Sequence, residues 1–504
     1  MQYVEVVVAS QRVTATSKRS EKSAILAEVL RRATPAEVPV VVGLLTGDPP
    51  QGRTGIGWSM VRDVRAVGQG AHAAAPSVTV AEIDDLLSAL AGTTGAGSQG
   101  DRQRMLVAMM TRLTEVEQAH LVRLFGGEMR QGALAGVVSD AVAKAADVPV
   151  VDLRRAAMLL GDLGLAAARA LAGESLAVGL SPLVAVQPML AASATTVTDA
   201  LILTGPASVE WKLDGARIQV HRDGDVVRVF TRGLNEIGSR VPAIVEAARA
   251  LRHRQFVLDG EALGLDPDGN PLKFQDTMRA HSRLQPFFFD VLYLDGNSLI
   301  DEPLTVRKRM LAETVPEAQR LPGIDVAQPA SGAAAAERFA ATALAAGHEG
   351  VMVKALDSSY QAGRRGATWR KVKPVHTLDL VVLAAEWGHG RRTGWLSNLH
   401  LGARAEDSAS TSFVMVGKTF KGLTDELLRW QTERLQQLAI GAPESGYVQH
   451  VRPELVVEIA IDGVQRSTRY PGGVALRFAR VRRYRLDKSA TEADAISRIQ
   501  AMLA

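Results

Sequence analysis

The sequence predicts a multidomain α+β protein, with an all-α N-terminal domain (residues 1–194), an α+β middle domain (195–374) and a small β-barrel (375–504). Three observations predict it. Apolar residues recur at helical spacing from Thr14 to about Ala194. Prolines at Ser181-Pro182 and Gln187-Pro188 then break that pattern, and strand-like alternation follows. After Pro374, short apolar runs are separated by Gly, Ser and Asp turns. A chain of 504 residues suits about three domains of ordinary size.

Hydrophobic residues make up 47% and charged residues 22%, enough apolar material for real cores. There is no Cys, which excludes disulfides and thiolate metal sites. Met1-Gln2-Tyr3-Val4-Glu5 lacks a basic start followed by an apolar core, so no signal peptide is expected. The Ala/Leu/Val-rich stretch from Ala133 to Val186 is broken by Asp140, Lys144, Asp147, Asp152, Arg154, Arg155 and Glu174, so it is no membrane span. A soluble cytoplasmic protein is expected. The net charge of +4 permits a polyanionic partner without demanding one.

In the first region Ser17 to Arg32, Ala81 to Leu90 and Arg102 to Met110 read as amphipathic helices. Thr114-Glu115-Val116-Glu117 reads as a helix start with acids in its first turn. A Gly-rich break, Gly126-Gly127, is flanked by Arg123 and Arg130, and a helix start with exposed amides beside Arg can hold a phosphate. A plain turn with solvated arginines is the alternative.

The middle region is organised around Glu210-Trp211-Lys212-Leu213-Asp214-Gly215-Ala216-Arg217. An alternating run follows, then Asp223-Gly224-Asp225 and a second run to Phe230: strand, hairpin turn, strand. A lysine crowded by Asp and Arg can be held partly unprotonated, and its free amine is a nucleophile; a solvated lysine before a turn is the alternative. Further on, Val241 to Arg252 reads as a helix, Phe256 to Leu263 as a strand carrying Glu261, and Pro286 to Gly296 as a buried strand. Ala333 to Ala346 is an Ala-rich helix stopped by Gly347, just before Glu349.

In the third region Val381 to Ala385, Leu399 to Gly402, Phe413 to Gly417 and Leu455 to Ile459 read as strands, with one helix from Thr424 to Leu438. That pattern suits a small closed barrel of the oligonucleotide-binding kind, an OB-fold. Arg477, Arg480, Arg482, Arg483, Arg485 and Lys488 alternate with apolar residues as if on one strand. So many like charges side by side favour contact with phosphates.

Taken together, these stretches resemble the ATP-dependent DNA ligases, within the covalent nucleotidyltransferases that include RNA ligases and mRNA capping enzymes. The resemblance rests on Lys212 to Arg217, Thr231-Arg232-Gly233, Leu258-Asp259-Gly260-Glu261, Phe289-Asp290-Val291-Leu292-Tyr293, Glu349 to Lys354, Trp369 to Pro374 and Arg485-Leu486-Asp487-Lys488, in the family's order. Arg123 to Gly132 looks, more loosely, like the helical DNA-binding domain of the larger members, with Met129 where a basic residue is common.

The resemblance implies that Lys212 attacks the α-phosphate of ATP to form lysyl-AMP. It implies that Glu210 accepts from the adenine amino group, that Phe289 stacks on the base, and that Glu261 binds the ribose or a metal. Glu349 would be the main Mg²⁺ carboxylate, with Mn²⁺ a substitute. Arg217, Arg232, Arg365, Lys371 and Lys373 would neutralise the phosphates, while Arg485, Asp487 and Lys488 would orient pyrophosphate. Arg123 and Arg130 would contact DNA. The implied partner is nicked duplex DNA, met by a monomer in the bacterial cytoplasm, at the nucleoid. A capping guanylyltransferase, an RNA ligase and an inactive nick-binding scaffold are the rival readings. Glu210 and the helical N-terminal region weigh against the first, and the helical region against the second.

Overall fold

Thr114 begins a helix as its neighbours require. Its amide and hydroxyl both donate to Glu117 Oε2 (2.8 and 2.7 Å), and the capping box starts the helix Glu115–Phe125. Thr79 and Glu82 do the same for Val80–Gly92. In this computed structural model the described residues are 1–504 except 53, 68–71, 128, 130–134, 268, 273–276, 278–282, 407–411 and 504. They form two units, Met1–Val372 and Lys373–Ala504.

The first unit starts with helices, from Tyr3–Thr14 to Leu163–Leu171, around one apolar core that includes Val6, Leu26, Leu44, Ile83, Leu121 and Val138. Helices Arg19–Leu30, Val80–Gly92 and Ser98–Met110 stand where periodicity predicts them. Buried Tyr3, in the first helix, and His120, in Glu115–Phe125, are joined by a 2.7 Å hydrogen bond between the phenol oxygen and Nδ1.

Two sheets follow. The strands are β1 (Leu190–Ser193), β2 (Ala207–Lys212), β3 (Ala216–Asp223), β4 (Val226–Thr231), β5 (Gln255–Leu263), β6 (Gln285–Leu294), β7 (Asn297–Ser298), β8 (Gly323–Val326), β9 (Gly350–Ala355) and β10 (Arg365–Val372). One sheet has the order β1-β10-β9-β2-β8, and the other β4-β3-β5-β6-β7. The first packs on the helices Val197–Thr204 and Pro329–Ala345 through Ala200, Val209, Ala336 and Val353. In the second, Gly224 takes φ +61° in the β3–β4 hairpin, as the Asp-Gly pair predicts.

β2 belongs to one sheet and β3 to the other, so Leu213-Asp214-Gly215 is the crossover between them. The crossover lies tight on β5. A Cβ on Gly215 would stand 2.4 Å from Ala262 O and 2.8 Å from Glu261 Cγ, so only glycine passes there.

The proline-broken stretch before β1 is no loose linker. Leu180, Val186 and Met189 are buried and pack with Leu159, Val257, Tyr360 and Trp369, which ties the helices to the sheets. The Val186 amide and carbonyl are both bonded by the Gln219 side chain.

The second unit holds β11 (His376–Trp387), β12 (Leu396–Arg404), β13 (Phe413–Thr419), β14 (Val448–His450), β15 (Val456–Ile461), β16 (Gly463–Arg466), β17 (Val474–Arg477) and β18 (Arg480–Tyr484), with the helix Asp425–Gln437 capped by Thr424. Its main sheet runs β13-β12-β11-β15-β18, all antiparallel, with β14 beside β11 and β16–β17 a separate hairpin. These pairings among the described residues form the antiparallel, β-rich C-terminal unit that the spacing predicts.

The basic segment is not one strand. Phe478, at φ +53°, turns the chain between β17 and β18, so Arg477 and Arg480 stand on different strands. Acids of the same unit answer several of its charges. Arg483 Nε donates to Glu458 (2.8 Å), opposite it in register, and Lys488 pairs with Asp379 (2.7 Å). The segment's charge is therefore partly compensated within the fold.

Candidate active site

β2 alternates as a strand must. Trp211 turns to one face, against Phe339 and His348, and Glu210 and Lys212 to the other. Antiparallel pairing sets Lys212 opposite Gly350, and the Glu349 amide donates to the Lys212 carbonyl (3.0 Å). The side chains then meet, Lys212 Nζ against Glu349 Oε2, with 23% and 20% of each exposed. The predicted nucleophile thus lies at the end of a strand, reachable, with a carboxylate in hand.

One turn of the pleat inward, Glu210 meets Lys354 of β9, with 5% and 2% of the side chains exposed. Lys354 is also held over two aromatic faces, its Nζ 4.4 Å from the centroid of Phe289 and 4.5 Å from that of Trp369. Ser208 donates to the other oxygen of Glu210 (3.1 Å). Phe289 is half-buried and edge-on to Trp369 (6.2 Å).

Arg217, expected at the phosphates, spends its donors inside the fold. Its guanidinium forks onto Asp259 (3.1 and 2.7 Å) and reaches Met189 O (2.6 Å) and the Tyr360 hydroxyl (3.2 Å). Burial opposes that charge, but Asp259 raises the Arg217 pKa above its ordinary value. The Tyr360 hydroxyl donates to Asp259 (2.6 Å) and titrates well above the usual phenol, first through burial and then through Asp259.

Glu261, opposite Arg217 in register, is pushed up to about 7. Burial is the main cause; Lys212 and Arg217 pull the other way, while Asp259 and Glu349 add to it. Glu261 therefore feels both Lys212 and Glu349.

Of the remaining predicted cations, Lys371 is half-buried on β10 opposite Met352, and Arg232 and Arg365 are exposed where β4 ends and β10 begins. Lys373 belongs to the second unit and pairs there with Asp462. Arg485, Asp487 and Lys488 also form a cluster in that unit. Arg485 bonds Asp487 (2.9 and 2.7 Å) and Asp379 (3.0 Å). The first of these contacts holds Asp487 well below the usual carboxylate range. Arg123 is half-buried in the last turn of its helix, and Arg130 lies outside the described residues.

Reading by motif passed over Asp259, Tyr360, Ser208 and Asp379. Asp259 stood inside a quoted motif, so an acid two places before Glu261 on an apolar strand was its signal. The others had none.

Among the described residues no three His, Asp or Glu side chains group as a metal cage. Glu261 and Glu349 beside Lys212 suit a hard cation that takes one or two carboxylates and completes its shell with water and substrate phosphate, as Mg²⁺ does.

Two sheets are joined by a crossover at an accessible lysine, with a buried acceptor further in and carboxylates around it, and this lysine-centred cluster is the candidate site. Three family descriptions match the chain in order: "DNA ligase N terminus" at 59–143, "ATP dependent DNA ligase domain" at 188–373 and "ATP dependent DNA ligase C terminal region" at 392–488. A probable DNA ligase of Streptomyces avermitilis is 52% identical, covering 98% of this chain and 97% of that protein. One of Mycolicibacterium gilvum is 50% identical, covering 99% of each. The solved structure Pmar-Lig_PreS3 shares the fold, with a TM-score of 0.58 and 17% identity over 95% of this chain and 99% of that one. The chain belongs to the ATP-dependent DNA ligase family.

Proposed function

We propose that the chain seals nicks in duplex DNA as a monomer in the bacterial cytoplasm. The Lys212 amine attacks the α-phosphorus of ATP; a P–N bond forms, the bond to the bridging oxygen breaks, pyrophosphate leaves with that electron pair, and the amine gives up a proton. The AMP then passes to the 5′-phosphate at the nick, and the 3′-hydroxyl displaces it to form the phosphodiester. The observation that carries this reading is the contact of a part-exposed Lys212 with Glu349 at the sheet crossover.

Other residues have supporting parts. Glu210, held by Ser208 and Lys354, accepts from the adenine amino group and leaves a guanine carbonyl facing an acceptor. Phe289 stacks on the base. Glu261 and Glu349 hold Mg²⁺ (Mn²⁺ as substitute), which neutralises phosphate charge when bound. Arg232, Arg365 and Lys371 draw the phosphates. Arg217, bonded to Asp259, shapes the pocket floor and adds positive potential. Lys373, Arg485, Asp487 and Lys488 serve the pyrophosphate, by family likeness alone. Arg123 and Arg130 contact the DNA backbone, independently of base sequence.

The test is end-joining of a labelled nicked duplex, with ATP or GTP and with DNA or RNA strands at the nick. Sealing of DNA with ATP and not GTP supports the reading; sealing only of RNA, or with GTP, overturns it. Arg123→Ala is expected to weaken binding to the nicked duplex and to lower the slope of log K against log salt by about one. An unchanged slope in a salt titration removes Arg123 from the DNA surface.

A further inference from the structure

Glu210 accepts from donors on two sides. Lys354 meets one oxygen, and the Ser208 hydroxyl meets the other (3.1 Å). The Ser208 hydroxyl is in turn fixed by a third residue. Lys308 Nζ donates to Ser208 Oγ (2.7 Å) and pairs with Asp325 of β8. An ammonium has no lone pair, so the hydroxyl cannot turn its proton toward Lys308. That proton is left pointing at Glu210.

The chain Lys308 to Ser208 to Glu210 therefore runs one way, and it presses Glu210 to remain a pure acceptor. A carboxylate offers about four lone-pair sites, and two are taken here, so acceptor capacity remains for a ligand donor. The scaffold behind the relay is firm. Lys308 rides on the helix Leu304–Thr314 next to Arg307, whose fork onto Asp290 (2.7 and 3.1 Å) is fully buried at both ends. Ser208 is buried on the same face of β2 as Glu210, two residues away.

We propose that Ser208 and Lys308 are positioning residues that set the protein's preference for a 6-aminopurine nucleotide by orienting Glu210. The inference rests on Glu210 reading the base. Lys354 also contacts Phe289 and Trp369, so changing it disturbs the pocket widely; the Ser208–Lys308 arm reaches Glu210 alone of these.

The experiment measures kcat/KM for covalent nucleotidylation of the full chain with ATP and with purine riboside triphosphate, which lacks the 6-amino group. Ser208→Ala is expected to lower the ATP preference about tenfold, Lys308→Met about threefold, and Ser208→Thr to retain it. If Ser208→Ala and Lys308→Met slow both nucleotides equally, their role is structural and the inference is overturned. Glu210→Ala separates the two claims. A preference that collapses in Glu210→Ala but survives in Ser208→Ala overturns this inference alone. A preference that survives Glu210→Ala overturns the base-reading role of Glu210, and this inference with it.

Discussion

Glu210 and Lys354 expose 5% and 2% of their side chains, whereas Lys212 and Glu349, at the outer end of the same strand pair, expose 23% and 20%. Both are lysine–glutamate contacts, yet they obey different physics. Two charges removed from water need compensating partners, and the inner pair finds them in Ser208, Phe289 and Trp369 while Glu210 keeps acceptor sites for a ligand. The outer pair keeps water nearby, so its partners separate at small cost. In the proposed reaction the Lys212 nucleophile must leave its carboxylate to meet a phosphate, while the base-reading Glu210 must not move. On that proposal the contrast separates recognition from chemistry along one strand.

The comparison is most easily broken at the inner pair. Lys354→Ala leaves the Glu210 charge buried without its cation, and urea unfolding should show a loss of about 3–5 kcal/mol. A loss below about 1 kcal/mol would place Glu210 in water and end the distinction.

Glu261, which feels Lys212 and Glu349, tests the surroundings of the outer pair. Its carboxyl titrates at about 7 in the fold against 4.5 ordinarily, so between those values the folded chain keeps a proton that the unfolded chain has lost. Stability should therefore fall as pH rises from 4.5 to about 7, by up to about 3 kcal/mol, and then level off. Unfolding without nucleotide or divalent cation measures it; Glu261→Gln should flatten the slope, and an unchanged slope would assign it to other groups.

Much of this architecture was legible beforehand, because alternation and helical spacing are local. The strands around Lys212, the hairpin at Gly224 and the cap at Thr114 all follow from neighbours within a few residues. Partner choice across the chain is not local. Glu210 and Lys354 are 144 positions apart, and Arg485 and Asp379 are 106. Lys354, which the sequence reading gave no role, is deeply held, with 2% of its side chain exposed. Arg217 and the cations after Arg477 read as free for phosphate, since nothing in their spacing announced Asp259, Glu458 or Asp379. The turn at Phe478 was hidden too, because a non-glycine residue at positive φ leaves no compositional mark.

Smaller effects sharpen the contrast. Thr114→Ala removes a cap far from either pair and should cost about 1 kcal/mol in urea unfolding, with nucleotidylation unchanged; a loss of nucleotidylation would show coupling between the helical region and the site. Lys212→Ala should cost less than about 1 kcal/mol in the same assay, since its pair is partly solvated. A larger loss would make the outer pair structural.

The most direct measurement is the intact mass of the wild type and of Lys212→Ala after incubation with ATP and Mg²⁺, followed by peptide mapping. The account predicts one AMP moiety on the wild type, carried by the peptide containing Lys212, and none on the variant. AMP bound to any other residue, or retained by Lys212→Ala, would contradict it.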